Sequence, residues 1–217
     1  MFQFRRAQEV AGPTLPDTEA CDLLLLLGAA EAGAGDWAAS RHTFENAAAL
    51  ARTLDCPERF ARAALGFKGM MWATNPADYT AIAMLEDSRS LLRPEHRALE
   101  VELLSAISRS LYYSREVDRA RTYSKKALRL ARLLRDDRLH AVALEAHTVC
   151  LLRPDTTPAL HRSIDIFLGF AGRTRDPHLL FNAKIFKQLS HLIAGNIAEA
   201  DLYLSEAATS WYSTPLW

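Results

Sequence analysis

The side chains best suited to bind a partner are polar and aromatic residues within segments rich in helix-forming residues. Spacings of three and four residues place them on one side of their helices. Arginine and tyrosine are enriched in binding surfaces, and each tyrosine of the adjacent pair here is equally consistent with packing against a neighbouring repeat. The predicted set is Glu102, Arg109, Tyr112, Tyr113, Glu145 and Asn182.

Histidine and cysteine residues suggest other chemistry. His140 and His147 lie seven residues apart, and Cys150 follows one helical turn later. A metal site needs three or four converging ligands. With no fourth ligand evident, we expect half-buried polar residues here and no metal.

Sequence motifs for catalysis or for cofactor binding are absent from the chain. The sequence contains no phosphate-binding glycine loop, no H-E-x-x-H and no G-x-S-x-G. Asp136 and Asp137 fall in a predicted turn, where aspartate is expected to cap a helix. We therefore predict no cofactor and no catalytic residue, and favour a protein that is not an enzyme.

The charge balance argues against a chain-wide attraction to nucleic acid or membranes. Lys plus Arg and Asp plus Glu each number 26. The basic run from Lys125 to Arg135 is interpreted as a solvated helix face, which makes nucleic-acid binding the weaker alternative. The apolar run that begins at Leu23 is too short to span a bilayer. Three cysteines at irregular spacing fit a reducing compartment, so we expect a cytoplasmic protein.

Turn-forming residues recur about every 40 residues, with a second set of breaks between them. The intervening segments are rich in Ala, Leu, Arg and Glu, which favour helices. The sequence therefore predicts an all-α fold of five helix pairs forming one domain over residues 1–217. The predicted pairs cover 18–54, 58–92, 96–134, 138–174 and 178–210, followed by an apolar tail at 211–217.

Side chains repeat together with the turns and resemble the tetratricopeptide repeat. That repeat has Leu-Gly in its first helix and Ala, an aromatic residue and Ala in its second, and Leu27, Gly28, Phe44 and Ala47 match it. The resemblance implies a right-handed α-α superhelix, with helices longer than the standard ones. It also implies that the first helix of each pair lines the concave surface.

A narrower resemblance covers most of the chain. The segments 34–37, 44–48, 50–52, 62–66 and 127–136 are similar to the helical-repeat region of large ATP-binding LuxR-type bacterial transcriptional regulators. In that family the repeats follow a nucleotide-binding domain and often precede a DNA-binding helix-turn-helix. The present sequence shows neither motif, so the resemblance implies a repeat region that is part of such a regulator or derived from one.

Repeat solenoids present extended surfaces and rarely carry chemistry of their own. The first hypothesis is therefore a non-catalytic module whose groove binds a protein or peptide. The alternatives are a small-molecule sensor and a natural-product enzyme that uses the groove as a pocket. The tail from Trp211 to Trp217 is unusually apolar, and it predicts either a cap on the last helix pair or a homodimer contact.

Overall fold

The computed structural model describes residues 16–69, 77–112, 114–152 and 157–212, with side chains described as far as residue 209. This described part contains ten α-helices and no strand. The helices are α1 (Asp17–Gly33), α2 (Trp37–Thr53), α3 (Pro57–Lys68), α4 (Tyr79–Leu91), α5 (Arg97–Leu111), α6 (Val117–Leu134), α7 (Asp137–Val149), α8 (Thr157–Arg173), α9 (Pro177–Ile193) and α10 (Ile197–Tyr212).

Local residue chemistry fixes where several helices begin and end. Asp36, Asp78, Asp136 and Asp176 each precede a helix and accept hydrogen bonds from backbone N–H groups of its first turn. These bonds satisfy donors that have no partner within the helix. The capping role predicted for Asp136 is thus confirmed, and Gly35, at φ 81°, closes the turn between α1 and α2.

The order of helix contacts defines a solenoid of five pairs. Each helix packs against the next one along the chain, and the first helices, α1, α3, α5, α7 and α9, also contact one another in succession. Within the described residues, the backbones of the second helices of successive pairs lie farther apart, and only side chains such as those of Arg119 and Glu86 bridge them. Because the first helices lie close together and the second helices lie farther apart, the array must curve toward the first helices. The first helices therefore form the inner, concave wall. The predicted all-α, tetratricopeptide-like solenoid is confirmed.

Small residues allow these helices to approach closely. The Phe44 ring, 6% exposed, lies between α1 and α3 against Gly28 and Gly66. A Cβ atom added at Gly66 would lie 2.3 Å from that ring, which no side chain tolerates without displacement. Buried alanines at 47, 127 and 207 occupy equivalent positions on α2, α6 and α10. The core consists of two apolar clusters between the first and second helices, which both include residues of α5 and both contact Tyr123.

The helices are not suited to cross a bilayer. Among the residues that the structure describes, no helix combines the length and the apolar character of a membrane span. The division of the whole chain into a single domain stays a prediction.

Candidate functional site

Three of the predicted residues lie on the first helices of the last three pairs. Arg109 is in the last turn of α5, Glu145 lies in the middle of α7, and Asn182 lies in the first half of α9. Their separations of 36 and 37 residues are close to one repeat, so they occupy equivalent positions on successive helices of the inner wall.

The structure brings these three side chains into direct contact. Arg109 Nη1 donates to Glu145 Oε2 at 2.7 Å, and Asn182 Nδ2 donates to Glu145 Oε1 at 2.7 Å. Each oxygen of the carboxylate thus has a donor from a different repeat. The Glu145 side chain is only 7% exposed, and a buried carboxylate requires such partners.

Arg109 keeps unused hydrogen-bonding capacity. A guanidinium carries five N–H donors, and within the described residues only one of them, on Nη1, has an acceptor. The Arg109 side chain is 24% exposed, so the residue is partly open to solvent. Glu145, in contrast, has both oxygens engaged. The cluster therefore offers donors and no free carboxylate.

Lys68, the last residue of α3, adds a second cation to this part of the wall. The side chain is half-buried, and its ammonium has no hydrogen-bond acceptor or ion-pair partner in the part of the chain that the structure describes. The pKa of Lys68 is lowered to about 7, mainly by burial and also by the charge of Arg109, while the charge of Glu145 opposes the shift. We call Lys68, Arg109, Glu145 and Asn182 the wall cluster.

Glu102 lies one to two turns before Arg109 on α5 and belongs to a second row of contacts. Arg138 on α7 donates to Glu102 Oε1 at 2.6 Å and lies 3.5 Å from Asp176 Oδ2, at the start of α9. The Arg138 side chain is 52% exposed. This row links the same three repeats as the wall cluster, but its charges are compensated and solvated, so Glu102 is less suited to capture a ligand.

Tyr112 is held by the fold. Its hydroxyl donates to the carbonyl oxygen of Leu152 at 3.0 Å, and its ring packs against the core of the last three pairs. These contacts favour the packing role over a freely exposed binding side chain. Tyr113 lies outside the described residues.

His140 and His147 on α7, and Cys150 directly after it, are packing residues. His147 Nδ1 is 3.2 Å from Ser124 Oγ, and Cys150 Sγ is 3.4 Å from Ser108 Oγ. Burial lowers the pKa of His147 and raises that of the Cys150 thiol, so both side chains are held neutral. Across the described ranges, no three His, Cys, Asp or Glu side chains converge as a metal site would require.

Sequence reasoning missed two residues of the inner wall. Lys68 ends its helix, where a lysine is expected merely to complement the helix dipole. Arg138 begins its helix, next to a capping aspartate. The available signal was the repeat spacing, since Lys68 lies 41 residues before Arg109 and Arg138 lies 36 residues after Glu102.

The fold and the wall together define a helical-repeat protein with a polar concave surface. No protein-family model matches the chain, and no curated protein matches it either. One similar solved structure is a signal transduction ATPase with numerous domains, with a tetratricopeptide repeat sensor, from Pyrococcus horikoshii. The alignment has 13% identity and a TM-score of 0.44, and it covers 96% of this chain and 39% of the other. This chain thus spans about two fifths of that protein's length. The function proposed below therefore rests on the residues of this chain.

Proposed function

We propose that this protein is a non-catalytic binding module whose concave wall holds a protein or peptide segment through an acidic side chain of the partner. The observation that supports this proposal is the excess of unused donors in the wall cluster. Lys68 has no acceptor in the described part of the chain, and Arg109 has one for only one of its donors.

A carboxylate is the group that fits these donors. It accepts several hydrogen bonds at once, and charge-assisted bonds to arginine are stronger than neutral ones. Glu145 accepts from Arg109 and Asn182 and makes no bond to Lys68 among the described residues. An incoming carboxylate would supply the missing acceptor and would favour the charged form of Lys68.

The cellular setting forms a separate part of the proposal. We place the module in the cytoplasm of a bacterium, as part of a transcriptional or signalling regulator or derived from one. This rests on the five sequence segments that resemble LuxR-type regulators and on three cysteines without a disulfide pattern. A homodimer through residues 211–217 stays a prediction, because the side chains of that tail lie outside the described ones.

A selection of displayed random peptides on the full chain tests the binding proposal. We expect the bound peptides to be enriched in Asp and Glu. Affinities of the best peptides are then measured for the wild type, for Lys68→Met and for Lys126→Met, which removes an exposed lysine from the outer face of α6. Lys68 is the better probe because removing Arg109 would also disturb Glu145.

Lys68→Met should weaken binding by about 2 kcal/mol, the cost typical of an interface hot spot. Lys126→Met should leave the affinity unchanged. Peptides without an acidic preference, or peptides that bind Lys68→Met as well as the wild type, would contradict the proposal.

A small-molecule effector is the second candidate, and the same unused donors favour it. One ammonium beside one guanidinium also suits a single carboxylate of a small compound. Competition between a selected peptide and a simple dicarboxylate such as glutarate separates the two. Displacement at concentrations near the peptide Kd would favour the effector, whereas an unaffected peptide would favour a partner segment.

A further inference from the structure

A pocket lies apart from the wall cluster, where α4 ends and α5 begins. Its volume is about 270 Å³, and its lining includes Arg89, Arg93, Arg97 and Glu100 together with Leu92 and Pro94. This volume lies below the roughly 300–1,000 Å³ typical of pockets for drug-sized ligands, so it suits a small ligand or one group of a larger one. We call it the arginine pocket.

The three arginines of this pocket have no ion-pair partner among the described residues. Elsewhere in that part of the chain, arginines such as Arg59, Arg119 and Arg173 pair with a carboxylate of another helix. Arg89 lies with its guanidinium 5.9 Å from the centre of the Tyr123 ring. Its buried Nε has no hydrogen-bond partner among the described residues, and an unsatisfied buried donor of this kind is costly.

The nearby acidic groups do not compensate the arginines. Glu86 accepts hydrogen bonds from Arg119 and Tyr123, and Asp87 pairs with Arg52. Glu100 lines the pocket but is not within pairing distance of any arginine. Three arginines against one glutamate leave the lining with two net positive charges, counted from its residues.

The start of α5 adds to the attraction for anions. His96 precedes this helix of 15 residues and makes no side-chain capping bond, unlike the aspartates that cap α2, α4, α7 and α9. Backbone N–H groups of this first turn, together with the helix dipole, favour a negative charge there, which Glu100 in the first turn and Glu58, 3.9 Å from His96 Nδ1, supply in part.

We propose that the arginine pocket binds a phosphate group, either as free phosphate or as the phosphate of a small monoester. Such a group carries about −1.5 to −2 charges near neutral pH, close to the charge of the lining. Its oxygens can accept paired hydrogen bonds from guanidinium forks, which single-point cations such as lysine do not provide.

Calorimetric titration of the full chain with inorganic phosphate and with glycerol phosphate tests this proposal, at ionic strength matched with chloride. The probe variant is Arg93→Gln with Arg97→Gln, two exposed positions. The control is Arg129→Gln with Arg132→Gln, two exposed arginines of α6 that also have no ion pair in the described part. Both double variants remove the same charge.

We expect saturable binding to the wild type with a Kd below about 1 mM, at least tenfold weaker binding to the pocket variant, and no change in the control. Tighter binding of glycerol phosphate than of phosphate would identify the monoester as the ligand class, and the reverse order would identify free phosphate. Absence of saturable binding near this affinity, or equal weakening in both variants, would overturn the proposal. Because the wall cluster is untouched, this outcome is independent of the proposed peptide binding.

Discussion

The arginine of the inner wall and the arginines of the pocket show two uses of one residue type. Arg109 is 24% exposed and bound to a carboxylate that is 7% exposed, so its charge is part of how three repeats hold together. Arg93 and Arg97 are exposed and have no partner in the described residues. A substitution of an arginine that is paired within the fold must therefore be tested for its effect on stability before its effect on binding is interpreted. A substitution of an arginine without a partner in the described residues can be tested for binding directly.

The largest effect should come from Glu145→Ala, because it leaves Arg109 and Asn182 without their acceptor. Breaking a buried pair costs roughly 3–5 kcal/mol; since Arg109 is partly exposed, we expect the lower end, about 3 kcal/mol. Chemical denaturation monitored by circular dichroism measures this. Glu145→Gln should cost less because its amide oxygen still accepts one bond, and equal losses in the two variants would contradict this reading.

A double-mutant cycle sharpens the same point. Arg109→Ala and Glu145→Ala should be coupled, with an interaction energy of about 1–3 kcal/mol, because each single change removes the same contact. Free energies of unfolding of the two single variants and the double variant give the coupling. Additive losses would show that the 2.7 Å contact contributes nothing net to stability.

Lys68 provides a pH-dependent test of the wall. Its pKa of about 7 lies below the ordinary 10.5, so between these values the unfolded chain binds a proton that the native chain does not. Stability attributable to Lys68 therefore rises with pH across this window, and the penalty for its buried charge is fully present below about pH 7. Arg109 and Glu145 are the charged groups that act on it there.

We expect Lys68→Met to be more stable than the wild type at pH 6, with an advantage that shrinks as the pH approaches 10. The effect should be smaller than that of Glu145→Ala because the half-buried side chain is partly screened. Melting temperatures across this range measure it, with Lys126→Met as the exposed control. A constant difference between Lys68→Met and the wild type would mean that Lys68 titrates normally.

The smallest effect is expected in the arginine pocket without ligand. Arg93→Gln with Arg97→Gln should change the free energy of unfolding by no more than about 0.5 kcal/mol, since exposed side chains without partners contribute little. The change should be neutral or slightly stabilising because two like charges are removed. A loss of stability comparable to that of Glu145→Ala would show that these arginines, like Arg109, help to hold the fold together.

The helices and their turns could be predicted because local chemistry determines them. The turn at Gly35 needs a residue that adopts the left-handed conformation, and Asp136 caps its helix. Neither feature depends on contacts with residues distant in the sequence. Arg109, Glu145 and Asn182 were predicted to face inward from spacing alone. Their mutual bonds could not be predicted, because these depend on how far each helix pair is rotated and shifted relative to the next.

The arginine pocket was missed for a related reason. Arg89, Arg93 and Arg97 are spaced four residues apart, but the break at Arg93-Pro94 assigns them to a helix end, a turn and a helix start. Periodicity within one helix cannot predict that three such elements converge. The signal that sequence reasoning could have used is the absence of an acidic residue four positions before each arginine, on its N-terminal side.

Glu145 also has a consequence for how the molecule comes apart. In a linear repeat array each unit ordinarily interacts only with its neighbours, so ends fray one repeat at a time. Glu145 bonds to side chains of both adjacent pairs and so strengthens both interfaces of the fourth pair, which favours joint opening of the third, fourth and fifth pairs over fraying one repeat at a time. We expect amide hydrogens of α5, α7 and α9 to share one opening free energy in hydrogen exchange, and to separate into distinct openings once Glu145 is replaced.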